Sequence, residues 1–292
     1  MNDKYIFLDT FVLSYLTNEK YIWKLLKFLE SNNYIVLLSS LHLVELYNPH
    51  PDKNSRIHNI ARFFQKAKFV IVDQQDVIDS EYNLYPRKLY NLKIRLKSHE
   101  LFNNLSDINR ECLVYELFKH GLPDYGVPLK EWVQSYSEIK NKWESDVELI
   151  IKDSKDKKIL KDVIKFSQYL DFRLVKEIVT IYESIEKGEN IHITKKQSDL
   201  ITKYKHGVMR GIHLSSLVFW YDYVRSRKKI KGSDVGDIYF SILFPYCHEV
   251  IADKSRFDCL RQIKKDYQEV YGCLNIIRMD DFVLEIDNDL YN

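Results

Sequence analysis

Short, bulky, apolar runs recurring at a spacing that only a helix can bridge constrain this chain more than any other feature. Tyr5, Ile6, Phe7 and Leu8 form the first run, closed by Asp9. Residues 34–38 form the second, closed by Ser39 and Ser40, and residues 69–72 the third. Between them, residues 21–29 and 55–66 carry apolar side chains at helical spacing, and residues 41–47 continue helically until Pro49. Four or five apolar residues bounded by turn formers read as buried strands. Parallel neighbours need a crossover of about a dozen residues, usually helical. The alternation therefore predicts an α/β fold around a parallel sheet.

The texture changes over residues 76–205. Charged and aromatic residues alternate there at helical periods, and 83–100, 108–120, 129–151 and 159–185 all read as helices. This stretch is predicted to be a large helical insertion. The α/β texture then resumes. A long helix is expected over 208–227, and a second from Ser233 or Asp234, either able to cap it, to about Phe244, before Pro245. Val250, Ile251 and Ala252 read as a strand ending at Asp253, followed by a helix to about Tyr271 and a strand at 274–277. Residues 282–286 are expected as an edge strand. The predicted organisation is a sheet domain of residues 1–75 plus 206–292, interrupted by the insertion at 76–205.

At 292 residues the chain is long enough for this arrangement. Apolar residues make up 45% and charged residues 29%, a globular balance. A net charge of +2 leaves any nucleic-acid contact to local patches. Cys112, Cys247, Cys259 and Cys273 are scattered with no Cys-x-x-Cys pair, which argues against a structural zinc site or a disulfide framework. Together with an N-terminus that lacks a cleavage-site pattern and the absence of an apolar run of about 20 residues, this makes a cytoplasmic protein with no membrane partner the expectation.

Ligands of a parallel α/β sheet gather at the carboxyl ends of its strands. Asp9 and Asp253 are expected there. Glu45 follows a few residues after the second strand, and Asp237 lies in the first turn of the helix after Gly232, with Asp234 one turn earlier on the same face. Carboxylates crowded together repel unless a cation neutralises them. Oxygen ligands of this kind suit Mg²⁺ or Mn²⁺. Such a site activates water and offsets charge on a phosphate, so metal-assisted phosphodiester hydrolysis is the chemistry these groups favour. Read alone, the acids are equally open to service as caps and solvated surface.

The order of these acids resembles the PIN-domain family of nucleases. The segment FLDTFVLSYL resembles that family's first strand and its leading Asp. SSLHLVELY resembles the second strand and the helix that delivers a Glu. SDVGDIYFSILFPYCHEVIADKSRFDCL is similar to the form in which an Asp-led helix runs into Pro-Tyr and then a strand ending in Asp-Lys. The resemblance covers about residues 4–75 and 205–280. It implies a PIN-like three-layer α/β/α parallel sheet carrying the helical insertion. It also implies Asp9, Glu45, Asp237 and Asp253 as the catalytic and metal-binding quartet, Asp234 as an accessory ligand or a cap, and Thr10 and Ser39 as supports for ligand waters or carboxylate rotamers. The activity implied is a Mg²⁺- or Mn²⁺-dependent endoribonuclease, with RNA favoured over DNA. His248 departs from the family pattern, standing where such segments often carry another Asp, and is expected outside the metal's immediate ligands.

Arg225, Arg227, Lys228, Lys229 and Lys231 form a basic cluster before the Asp234–Asp237 helix, suited to phosphate contact or to a solvated helix end. Lys195, Lys196, Lys203 and Lys205 can extend it. The 21 tyrosines and 15 phenylalanines are mostly expected in the core, with some available for stacking on unpaired bases. His248-Glu249 lacks the second histidine of a zinc protease, because position 252 is Ala. An aspartyl phosphatase wants an acid two residues beyond Asp9, where Phe11 stands. The alternative kept open is a non-catalytic PIN-like module that binds nucleic acid or protein. A toxin, an RNA-processing enzyme and a defence effector are all compatible settings. An antitoxin, inhibitor or other subunit would be met through the insertion, and a homo-oligomer is also compatible.

Overall fold

The computed structural model describes residues 4–39, 41–42, 45, 53–72, 74, 77–78, 80–81, 145–174, 207, 209–226 and 232–288. In chain order its elements are β1 (Lys4–Leu8), α1 (Thr10–Leu16), α2 (Ile22–Ser31), β2 (Tyr34–Leu38), α3 (Lys53–Lys66), β3 (Phe69–Ile71), α4 (Arg210–Phe219), α5 (Gly232–Phe240), β4 (Glu249–Ala252), α6 (Lys254–Asp266), α7 (Gln268–Tyr271), β5 (Asn275–Arg278) and α8 (Met279–Asn288). Residues 145–156 and 163–174 are also helical. The predicted helices at 83–100 and 108–120 lie outside the described residues. Among the described residues no helix is long and apolar enough to cross a membrane.

All four strand pairings are parallel, in the order β3-β2-β1-β4-β5. Ile6, Phe7 and Leu8 are at most 1% exposed although successive side chains point to opposite faces, so β1 is covered on both sides. That double burial is why the strand reads as a continuous apolar run. One face carries Ile6, Leu8, Val36, Leu38, Phe69, Ile71 and Ile251, in one cluster with buried residues of α1, α2, α3 and α8.

Two predicted elements need correction. Residues 282–286 are not an edge strand but part of α8. Met279, Phe282 and Ile286 bury one helical face, with the Phe282 ring edge-on to Phe28 at 5.1 Å. Asp280 and Asp281 in its first turn favour the helix dipole. The long helix expected over 208–227 is α-helical to Phe219 and then widens into a π-helical turn at Trp220–Arg225.

The chain forms two compact units, and their boundary differs from the predicted one. The sheet unit holds the described residues up to Gln74 and from Tyr246 onward; the second unit holds those from Val77 to Pro245. Residues 209–245, expected in the sheet domain, therefore belong with the helices. The reason is local packing within that unit. The Gly211 N–H donates to Glu81 Oε1 (2.6 Å), Trp220 Nε1 donates to the Leu160 carbonyl (3.1 Å), and the Phe166 and Phe219 rings stack at 5.7 Å.

Gly211 is required by close approach. A Cβ there would stand 2.6 Å from the Ile242 carbonyl oxygen and 2.9 Å from Ile242 Cγ2. Gly211→Ala is expected to destabilise this unit by about 2 kcal/mol in urea unfolding, because overpacking against backbone outweighs the gain of about 1 kcal/mol in helix propensity.

Candidate metal centre

β1 and β4 are neighbours in the middle of the sheet, and the strand order reverses between them: β2 and β3 extend to one side, β5 to the other. In open α/β sheets the crevice beyond the carboxyl ends of two such strands is where ligands bind. The residue that follows each strand is an aspartate. Leu8 pairs with Ile251 in register, and the Asp9 N–H donates to the Ile251 carbonyl (3.3 Å). Asp253 follows two residues later along β4. Asp9 is thus in register with Ala252, and Asp253 stands one residue further along, so both backbones lie at the carboxyl edge of two adjacent strands.

Both aspartates are also helix caps. Asp9 Oδ1 accepts the Phe11 N–H (3.0 Å) at the start of α1, and Asp253 Oδ1 accepts the Arg256 N–H (2.8 Å) at the start of α6. Each cap bond occupies one of about four lone-pair directions of a carboxylate, so capping and cation binding coexist on one side chain. Directly beside Asp9, Thr10 Oγ1 is buried without a hydrogen-bond partner. Unmet polar capacity of this kind is uncommon in a folded protein.

Glu45 is helical and half-buried, in the segment that leaves β2 on the other side of β1. A buried network organises the start of that segment. Ser39 Oγ accepts the Leu41 N–H (3.1 Å) and a Gln74 Nε2 hydrogen (2.9 Å), while the Ser39 N–H donates to His42 Nδ1 (3.0 Å). With Nδ1 accepting, the imidazole proton sits on Nε2 and is donated to the Leu8 carbonyl at 2.9 Å. His42 thus repeats the logic of a capping box, reaching back to the cap residue's N–H. It also ties the last carbonyl before Asp9 to the helical start that leads to Glu45. Burial lowers its pKa from 6.5 to about 4, against the opposing pull of the Leu8 hydrogen bond. His42 is a positioning residue that the sequence reading passed over. Ser39, expected to support ligand waters or carboxylate rotamers, is fully buried and caps the helical start.

Asp234 and Asp237 share a face of α5 in the second unit, Asp234 buried and Asp237 half-buried. Arg225 is exposed and lies over the Tyr221 ring at 5.5 Å; Arg227, Lys228, Lys229 and Lys231 lie outside the described residues. His248 sits at the opposite, amino edge of the sheet, its Nδ1 accepting the Tyr5 N–H (2.9 Å). His213 is a core residue, its Nδ1 3.1 Å from Asp171 Oδ2.

Among the described residues no three His, Cys, Asp or Glu side chains form a metal cage. Mg²⁺ does not ask for one: it keeps several waters and is commonly held by one or two carboxylates together with substrate phosphate. The donors at this edge, Asp9 and Asp253, are hard oxygens of the chemical kind such an ion takes. No protein-family model, no curated protein and no solved structure matches this chain.

Proposed function

We propose that this protein is a Mg²⁺- or Mn²⁺-dependent endoribonuclease of the PIN type, hydrolysing phosphodiester bonds at the carboxyl edge of its sheet. The observation that carries the reading is the pair Asp9 and Asp253, each the first residue beyond one of the two strands between which the strand order reverses. When bound, a divalent cation there supplies charge neutralisation for the scissile phosphate and lowers the pKa of water. Asp9 and Asp253 hold it, fixed in place by their cap bonds to α1 and α6. Glu45 adds a ligand or orients the attacking water. Thr10 Oγ1, with its hydrogen-bonding capacity unspent, steadies a water or a phosphate oxygen beside Asp9. His42 keeps the ends of β1 and β2 in register, so that the acids following them are preorganised.

Asp237, with Asp234 as accessory ligand, and the Arg225–Lys231 cluster as a phosphate contact enter the proposal through the sequence resemblance. So do the preference for RNA over DNA and a role as toxin or defence effector. Incubation of end-labelled RNA and DNA of one sequence with Mg²⁺, Mn²⁺ or EDTA tests the activity. Internal cleavage of RNA that EDTA stops is the expected result. Binding without cleavage in either metal would contradict it and leave a non-catalytic module. Asp237→Asn in the same assay tests the share of that residue.

A further inference from the structure

At the amino edge of the sheet, where β2 and β3 begin, a cavity of about 440 Å³ opens within the sheet unit. That size falls in the range of small-molecule sites. Trp23, Lys27 and Glu30, on one face of α2, line it together with Lys66 and Lys68 around the end of α3. Three lysines thus meet one glutamate in the lining, in a chain whose net charge is only +2. Trp23 is 50% exposed and gathers two cations: Lys66 Nζ lies 4.7 Å from its ring centroid and the Arg62 guanidinium carbon 5.7 Å. The ring quadrupole holds such cations in place without neutralising their charge. Arg62, Lys66 and Lys68 take part in none of the ion pairs among the described residues.

We propose that this cavity binds a small polyphosphate anion, at a site separate from the aspartates of the carboxyl edge. Like charges gathered around one ring repel each other until an anion joins them, and a concave wall of one sign concentrates its field on the space it encloses. Lysine and arginine donors match phosphate oxygens through charge-assisted hydrogen bonds. Three cations outside any such ion pair call for more negative charge than a single carboxylate carries, and the enclosed volume suits a small molecule. Glu30 is the one adverse charge in the lining. A nucleoside triphosphate and inorganic tripolyphosphate share the required chemistry, and the titrations below separate them. The inference does not depend on the nuclease reading, because no residue of the metal centre lines the cavity.

Calorimetric titration of ATP, tripolyphosphate and adenosine into the full chain, all in EDTA so that no divalent cation takes part, reads the binding. Both anions are expected to bind at a single site and adenosine is not. Tighter binding of ATP assigns the site to a nucleotide, and equal affinity assigns it to the phosphate chain alone. A hydrogen bond to a charged group is worth roughly ten- to hundred-fold in affinity. Lys66 and Lys68 are exposed, so Lys66→Ala and Lys68→Ala should each weaken both anions by about tenfold, the low end of that range. Lys66→Arg should keep most of the affinity. Trp23→Leu should weaken binding by releasing Lys66 and Arg62, Trp23→Phe should weaken it less, and Glu30→Gln should tighten it. The lysine variants alter exposed side chains and should fold; thermal unfolding checks this. The proposal is overturned by wild-type protein that binds neither anion, by unchanged affinity in the Lys66→Ala, Lys68→Ala double variant, or by anion binding that Asp9→Asn abolishes. Single-stranded RNA that needs both lysines, with no binding of ATP or tripolyphosphate, would also overturn it, in favour of an RNA-binding surface.

Discussion

Asp9→Asn is expected to lower cleavage of RNA by about 10²- to 10³-fold at saturating Mn²⁺ while leaving thermal unfolding nearly unchanged. The two halves of that expectation have separate causes. Asn caps a helix about as well as Asp, and its amide oxygen can accept the Phe11 N–H that Asp9 Oδ1 accepts now. The backbone at the end of β1 therefore stays in place, held also by the Asp9 N–H on the Ile251 carbonyl. The substitution removes a charge and an anionic oxygen. A cation acting on a phosphoryl group contributes several kcal/mol to the transition state, and each 1.36 kcal/mol is a factor of ten in rate. Full activity in the folded variant would show that the reaction centre lies elsewhere.

His42→Ala is expected to have the largest effect on stability, on the order of 3 kcal/mol at pH 7. The imidazole is fully buried and makes two hydrogen bonds to backbone groups. Removing it strands the Leu8 carbonyl and the Ser39 N–H, each at roughly 1–3 kcal/mol, and leaves a cavity beside Phe7, whose ring lies 5.0 Å from the imidazole. The effect depends on pH with a definite sign. The folded pKa is depressed from 6.5 to about 4, so between those values the unfolded chain binds the proton and the folded protein does not. Wild-type stability therefore falls as pH drops from about 6.5 to 4 and levels off below, by roughly 3 kcal/mol over the window. The Ala variant lacks this component. The stability gap between the two proteins should narrow as pH approaches 4, measured by urea unfolding at a series of pH values. A gap that stays constant from pH 7 to 4 would mean that His42 is not buried as a neutral donor.

The strands and the two edge aspartates are legible in the sequence because parallel strands buried on both faces must be apolar without alternation. Each such run ends visibly where a charge appears, as at Asp9 and Asp253. Other features escape for identifiable reasons. α1 is only seven residues long, and its exposed Phe11 and Tyr15 blur the boundary between buried and solvent faces. In α8 the buried pair Phe282 and Ile286 is four residues apart, a separation that satisfies both a period of two and a period of 3.6. His42 acts on backbone groups, one of them 34 residues away, and backbone partners leave no mark in a sequence. The unit boundary is hidden because helical periodicity does not say which unit a helix joins; the affiliation of α4 is set by single contacts such as Glu81 with Gly211.

The most direct test is a calorimetric titration of Mn²⁺ into the wild type, Asp9→Asn, Asp253→Asn and the double variant, each shown to be folded. Wild-type protein should bind Mn²⁺, and each single substitution should weaken it about tenfold or more. The double variant should lose much less than the sum of the two, since both side chains hold one ion. Additive losses would separate the two carboxylates, and a double variant with wild-type affinity would end the account.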